Sequence, residues 1–466
     1  MIRRLALAAL GVFALGCQNS APAGDEEGAS AADTSGGDTT ANAPTSGTTG
    51  DTSEARYTYY RDTKAILDKH CATCHRPGDV APFSLETGEE AQMFAGLLAP
   101  AIEAGTMPPW PPSSECNSYE HDRSLPAADR ELLLAWIADG AAIGDPADAP
   151  PAGPAAPTIA WDLDMPLPEP YAATAVPDDY RCFVLDWPED QLKYVIGFDV
   201  APDVRPIVHH AIAFLIPPSG VSTYKNLDAA DDGPGYSCFG SPGGGGFSQQ
   251  WLGAWAPGTQ PSLDEKRGIP VQPGSAIVLQ MHYHPMASGG PADQTRLKLK
   301  LADSVEVPLH VIPFTNPNWL SGDSMKIPAG EPRTVHEFEV DLTGFLGDFF
   351  PQAGVKNGEP FVMHEVSLHM HTRGRRASLE LDRAGADDVC ALYIPDWDFS
   401  WQGGYKLREP LTVQPGDRLR LTCEWDNSAA NQPIENGVQV DPADLFWGEG
   451  TGDEMCLSVL TISPVH

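Results

Sequence analysis

Positive charge is scarce in this chain. Its 466 residues carry 29 Lys and Arg against 64 Asp and Glu, a formal net charge of -35 at pH 7. A phosphate backbone needs a basic surface, so this balance argues against nucleic acid as a partner. Part of the acidity is plain solvation: Asp25, Glu26, Glu27, Asp33 and Asp38 interrupt a Ser/Thr/Gly-rich run before residue 56. Long apolar runs are missing after the first 17 residues, so nothing later spans a bilayer as a helix. Residues 18–55 also lack periodic apolar positions. They cannot bury enough surface to offset chain entropy, which predicts a disordered tether.

The amino end sets the expected compartment. Arg3 and Arg4 precede an apolar run from Leu5 to Leu15, then Gly16-Cys17. The run is too short for a mature transmembrane helix and reads as an export signal over residues 1–17. Ala14-Leu15-Gly16-Cys17 resembles a bacterial lipobox, which implies cleavage before Cys17 and lipidation there; an ordinary signal peptide with an incidental cysteine is the alternative. Gln18 points, by the rule of that family, to outer-membrane sorting. The expectation is a lipoprotein of the bacterial cell envelope, at the outer membrane or on the periplasmic face, touching the membrane through its lipid anchor only. Nine cysteines in an exported chain favour disulfides.

A chain of this length suggests two to four domains. Helical patterns bracket residues 56–148: Ile66 and Leu67 at one end, and Asp129 to Ile137 before Gly140 at the other. A Pro/Ala-rich linker covers residues 149–157. From 158 onward, short alternating runs such as Tyr194 to Val200 and Arg296 to Leu301 are punctuated by Gly and Pro. That texture predicts antiparallel sandwiches rather than βαβ units, divided into 158–312 and 313–466.

Cys71-Ala-Thr-Cys74-His75 is C-x-x-C-H, the attachment motif of haem c. Two thiols one helical turn apart reach two porphyrin vinyl groups, and the next residue presents an imidazole to the iron. Met107, in Gly105-Thr-Met-Pro-Pro109, is the best second axial ligand. Its prolines give a rigid loop able to lay a thioether over the haem, and His/Met ligation raises the potential. His70 and His121 compete for that role, and a core methionine is the plain alternative. For the cysteine pair the alternatives are a disulfide or a zinc knuckle, the latter with only Cys116 and His121 as a poor second pair. The Met-Pro-Pro and Trp-Ile-x-x-Gly-Ala elements look like those of small cytochromes c, which implies a cytochrome c-like unit over 56–148.

Three histidine groupings in the second half are hard to explain by packing: His209-His210, Gln280-Met-His282-Tyr-His284, and His369-Met-His371. Residues two apart on a strand share a face, so His369 and His371 can grip one metal. Adjacent His209 and His210 would point to opposite faces of a regular strand. Sharing one metal requires a bulge or bend there. Imidazole suits copper, zinc, iron or nickel, so spacing alone does not name the ion. His310, His336 and His364 read as structural.

The order His-His, Gln-x-His-Tyr, His-x-His-x-x-Gly and Thr451-Gly-Asp-Glu-Met455-Cys456 resembles the copper type II, ascorbate-dependent monooxygenases, the family of peptidylglycine hydroxylating and dopamine beta-monooxygenases. The resemblance covers about residues 175–465. It implies two copper ions: an electron-transfer site at His209, His210 and His282, and an oxygen-binding site at His369, His371 and Met455, where a soft thioether favours Cu(I). It also implies a supporting catalytic role for Gln280, an outer role for His284, and the disulfides Cys182–Cys238 and Cys423–Cys456. Cys116 and Cys390 then either pair, pinning the haem unit to the oxygenase, or stay free. The fold class implied is a small all-α cytochrome c domain followed by two all-β antiparallel, jelly-roll-like sandwiches.

The family reaction hydroxylates a C–H bond with dioxygen and two electrons, one held on each copper, so no side-chain triad is needed. Here the substrate would be a small organic molecule. The fused haem motif departs from ascorbate-fed relatives: electrons from a donor protein would pass through the haem, replacing or supplementing ascorbate, with the linker allowing transient docking. Peptide-hydroxylating relatives hold a carboxylate with an Arg two before His-x-His and a Tyr four after the Met. Ser367 and Val459 stand there instead, which disfavours a glycine-extended peptide. Arg373, Arg375 and Arg376 offer an anion site or a solvated loop, and Trp397 to Trp401 a pocket wall or core. The rival reading is a non-catalytic copper-binding or electron-transfer lipoprotein. A complete set of six ligand positions argues against it.

Overall fold

The computed structural model describes residues 55–465 apart from 80, 152–157, 177, 239–240, 245–249, 258, 260, 286–288, 322, 436–437 and 449–451. The export segment, Cys17, nearly all of the tether and most of the linker lie outside the described residues.

Three helices come first. A π-turn at Tyr59–Thr63 leads into α1 (Lys64–His70). Helix α2 (Gly88–Glu103) starts at a reciprocal cap: the Thr87 hydroxyl accepts from the Glu90 N–H, and the Glu90 carboxylate accepts from the Thr87 N–H. Helix α3 (Ala127–Ala138) follows Pro126 and stops before Gly140, whose φ of 92° suits only glycine. Ile66, Leu67, Leu98, Ile102, Leu133 and Trp136 close a small core between them.

Everything after is mostly strand. In chain order come β1 (Leu163–Pro166), β2 (Asp179–Asp186), β3 (Lys193–Ala201), β4 (Val208–Ile216), β5 (Tyr236–Ser237), β6 (Gln250–Trp255) and β7 (Ser262–Leu263). Next are β8 (Arg267–Val271), β9 (Ala276–Tyr283), β10 (Arg296–Ala302), β11 (Val307–Pro308), β12 (His310–Phe314), β13 (Thr334–Val340) and β14 (Phe361–His369). The last are β15 (Gly374–Asp382), β16 (Val389–Ile394), β17 (Tyr405–Val413), β18 (Arg418–Trp425), β19 (Ile434–Glu435), β20 (Val438–Gln439) and β21 (Leu457–Pro464). Alternation shows directly in β10, where Leu297 and Leu299 are fully buried between Arg296, Lys298 and Lys300.

Among the described residues these strands form five sheets. One has the order β1-β10-β3-β8-β11 with β7 on β3, and a second the order β5-β2-β9-β4-β6. Their apolar faces share a core with Phe183, Phe198, Leu215, Ile277, Leu279 and Leu299. Two four-stranded sheets, β12-β21-β14-β17 and β13-β18-β15-β16, enclose a second core around Phe361, Leu379, Leu421 and Trp425. The strands β19 and β20 pair alone. All neighbours are antiparallel except β8 and β11.

The expected fold class needs correction. Residues Glu54–His466 form one compact, mostly β unit with few helices, and no separate all-α cytochrome domain stands ahead of two self-standing jelly-roll sandwiches. The stretch between α2 and α3 leaves the helices and is built into the second core. Tyr119 is buried there, bridges to Leu407 on β17, and donates its hydroxyl to the Ala391 carbonyl at 3.0 Å. Cys116 is bonded to Cys390 on β16. Helical periodicity reports local apolar stripes, here closing a small core, but not whether the segment stands apart from the sheets.

Candidate metal centres

Strand β9 is the spine of the first centre. All eight of its residues are buried, because β2 and β4 flank it and both faces are covered. A polar side chain in such a strand needs a partner. Gln280 and His282 both have one. The Gln280 amide donates to the Ser241 carbonyl at 3.3 Å and lies 3.7 Å from the Cys238 sulfur, so it braces the loop after the Cys182–Cys238 disulfide.

The register of β4 against β9 shifts between Val208 and His210: Val208 faces Tyr283 and His210 faces His282, leaving His209 as the extra residue. This is the irregularity that two adjacent histidines require if they are to face one point. The three rings converge. His210 Nδ1 lies 3.2 Å from His209 Nδ1 and 3.3 Å from His282 Nδ1, and one ligand atom from each ring falls within 4.8 Å of the others. Hydrogen bonding alone cannot satisfy this arrangement, because the single His210 Nδ1 either donates one proton or accepts one. Two nitrogens bound at about 2.0–2.1 Å to one ion lie about 2.9–3.4 Å apart, which fits.

The electrostatics favour neutral imidazoles, the form that binds metal. Burial lowers His209 to about 4, helped by His282 and His284. Burial also takes His210 far down, with His282, His209 and then His369 adding to it. His282 is lowered by burial despite Asp178, whose Oδ1 lies 2.8 Å from His282 Nε2. The hydrogen bond from His282 is the main reason that the Asp178 carboxyl sits down at about 2. Asp178 thus takes one nitrogen of His282 and leaves Nδ1 for an ion, as carboxylates do behind metal-binding histidines. Tyr180 stacks on the same ring at 4.1 Å. Exposed His284 shares Asp178 at 2.9 Å and is not one of the three converging rings.

The second grouping is organised differently. His369 ends β14, and His371 lies two residues on; their ring centroids are 5.0 Å apart. His369 Nδ1 donates to Gln402 Oε1 at 2.6 Å, and the Gln402 amide is oriented by its own bond to the Phe399 carbonyl. His371 Nδ1 donates to the Asp453 carbonyl at 3.0 Å. Both partners are acceptors only, so both rings carry the lone pair on Nε2. Burial lowers His369 to about 3.

Glu454 ties this strand end to the loop bearing Met455. Its fully buried carboxylate accepts from the His371 N–H (2.8 Å), the Arg373 N–H (2.6 Å) and Trp425 Nε1 (2.9 Å). Burial still pushes it up to about 7. Met455 is buried beside it, and Cys456 is bonded to Cys423. Arg373 is buried with its guanidinium on Gln432, so it serves the fold here. Trp397 donates to the His371 carbonyl at 3.1 Å.

At the C-x-x-C-H motif, Cys71 and Cys74 are free thiols, while Cys116, Cys182, Cys238, Cys390, Cys423 and Cys456 form the three disulfides. Burial pushes the Cys71 thiol up to about 12. His75 Nδ1 donates to the Phe83 carbonyl at 3.1 Å, which places its lone pair on Nε2. Two unpaired thiols beside an imidazole oriented in this way fit a covalent haem. Met107 is 37% exposed, His70 is buried, and His121 sits at φ 55°.

Sequence reasoning named the candidate ligand positions, of which His209, His210 and His282 converge, and missed what orients them. Asp178, Gln402 and Asp453 stand in no metal-ligand spacing, and each meets its histidine from far along the chain. Glu454 was within reach, since it sits inside the Thr451 to Cys456 motif.

No protein-family model matches the chain. Among curated proteins, DBH-like monooxygenase protein 1 of Homo sapiens is 28% identical over 228 residues, covering 45% of this chain and 32% of that protein. Its Mus musculus namesake is 27% identical over 214 residues, covering 44% and 30%. The chain therefore spans about a third of the length of these relatives. Two solved structures of PNGF-II superpose with TM-scores of 0.29 and 0.25 at 11% and 9% identity, each covering 65% of this chain and 66% and 65% of theirs, too loosely to bear on fold or function. The weak, partial homology to DBH-like monooxygenase protein 1 supports a relation to the DBH-like monooxygenase family.

Proposed function

We propose that this chain is a two-copper monooxygenase that hydroxylates a C–H bond of a small organic substrate with dioxygen, its electrons supplied through haem c held by Cys71 and Cys74. The observation that carries this reading is the convergence of three Nδ1 atoms from His209, His210 and His282 on one point. Copper, when bound, supplies one-electron chemistry and dioxygen activation that no side chain provides.

The remaining work belongs to the chain's own groups. His209, His210 and His282 would hold the first ion, with Asp178 fixing the His282 ring. His369 and His371 offer Nε2 to the second, their rings set by Gln402 and the Asp453 carbonyl, with Met455 as the soft ligand. Glu454 keeps the Met455 loop against the histidine strand. His75 would offer Nε2 to the haem iron, with Met107 the sequence's candidate for the second ligand. Lipidation at Cys17 would hold the enzyme in the cell envelope, with a donor protein or ascorbate as the source of electrons.

Oxygen uptake tests the reading. Full-length protein loaded with copper and haem is reduced, then offered phenols, amines and hydrocarbons. At least one class should raise uptake and yield a hydroxylated product in equal amount, and copper removal should abolish both. A copper-binding or electron-transfer protein would hold its metals and consume no oxygen with any of them.

A further inference from the structure

Among the described residues the helical segment meets the sheets at two places, and one lies beside the strand that carries His209 and His210. Asp79, 7% exposed, accepts from Arg76 Nε at 2.7 Å and from Arg205 Nη1 at 3.2 Å. Arg76 directly follows the C-x-x-C-H motif. Arg205 opens the 3-10 turn Arg205–Ile207, which runs straight into β4 and its bulge at His209. A polar cavity of about 280 Å³ beside this bridge is lined by Thr73, Arg76, Arg205 and Trp255, among others. Thr73 sits between the two motif cysteines. Trp255 is 4% exposed and stands opposite Ala211, the covalent neighbour of His210.

We propose that this contact is a permanent electron inlet, in which electrons cross one at a time from ferrous haem at Cys71 and Cys74, past Thr73 and Trp255, to the cupric ion held by His209, His210 and His282. The inference rests on the proposed function. Each crossing oxidises one haem iron to ferric and reduces one copper to cuprous, and no proton has to move. Trp255 lines the cavity and pairs with Ala211 in the sheet, so the paired backbones of β6 and β4 would carry the path on to His210. The Asp79 carboxylate is buried while both guanidiniums are partly exposed, so Arg205 adds a directed tie between the segment and β4 to a contact that packing also holds. The disulfide Cys116–Cys390 holds the same segment from its other end. Docking on a flexible spacer would behave otherwise: its rate would be set by encounter and would depend on viscosity and salt.

The test uses the full chain loaded with copper and haem, without oxygen or substrate. The haem is flash-reduced, and its reoxidation is followed by absorbance while the cupric signal is followed by electron paramagnetic resonance. Transfer in the unmodified protein should be first-order and indifferent to viscosity, salt and protein concentration. Trp255→Leu and Arg205→Gln should each slow it severalfold at unchanged haem spectrum and copper content; Arg205 is partly exposed, so its replacement spares the fold if that of Trp255 does not. Tyr405→Phe, at the other attachment, where the Tyr405 ring packs on Trp110 and Tyr119, should leave the rate alone. Wild-type transfer in both folded variants, slowing confined to Tyr405→Phe, or a viscosity-dependent rate overturns the inlet while leaving the haem supply intact. If reduced haem in the unmodified protein never passes electrons to copper, the haem supply itself fails.

Discussion

Asp178 carries the sharpest prediction at the scale of single residues. Its carboxylate fixes the ring of His282 through Nε2, so Asp178→Asn should weaken copper binding at that centre by about 10–100-fold, as loss of such partners typically does. Chelator competition measures it, and unchanged affinity would remove Asp178 from the site. Two histidines away from both centres predict the pH response. His310 and His364 are lowered by burial from 6.5 to about 4, with Arg267 adding to the shift of His364. Between those values the unfolded chain binds protons that the folded chain refuses, so stability is full above about 6.5 and is lost as pH falls toward about 4. His310→Phe should flatten that part of the melting-temperature profile. The candidate histidines were legible because metal binding demands repeated imidazoles at workable spacing. Asp178 was not: a single carboxylate 104 residues from His282 leaves no pattern along the chain.

Elements explain why the rings meet. Neighbouring histidines cannot share a strand face unless the strand is broken in register, and β4 is broken at that step. This much followed from the sequence, since period-two alternation is a local property. The sheet that each strand joins did not follow. β21 lies between β12 and β14, and β9 between β2 and β4, through partners brought together by burial of distant apolar faces. Glu454 acts at this scale by fastening β14's end to the loop before β21. Glu454→Gln turns one acceptor into a donor facing N–H groups, and a buried donor left unsatisfied costs about 1–3 kcal/mol. Urea unfolding should show that loss, together with weaker copper binding at the His369 and His371 centre. An unchanged midpoint would mean that the carboxylate does not hold the loop.

For the whole molecule, the attachment of the helices is what local patterns could not reveal. Cys116 and Cys390 are 274 residues apart, and the bond between them joins the helical segment to β16. Replacing both with serine should lower unfolding stability by about 2–4 kcal/mol in non-reducing buffer, and a change below measurement error would show that the packing of Tyr119 suffices alone. The formal net charge of -35 belongs to this scale as well: a charge of that sign and size opposes association with polyanions.

Copper stoichiometry tests the central claim most directly. Elemental analysis of the full chain after copper loading and desalting should give two copper ions per molecule. Replacing His209, His210 and His282 with alanine should leave one, and replacing His369 and His371 should also leave one, of different spectroscopic signature. Two ions retained after loss of the first three histidines would contradict the account, as would none bound by the unmodified protein.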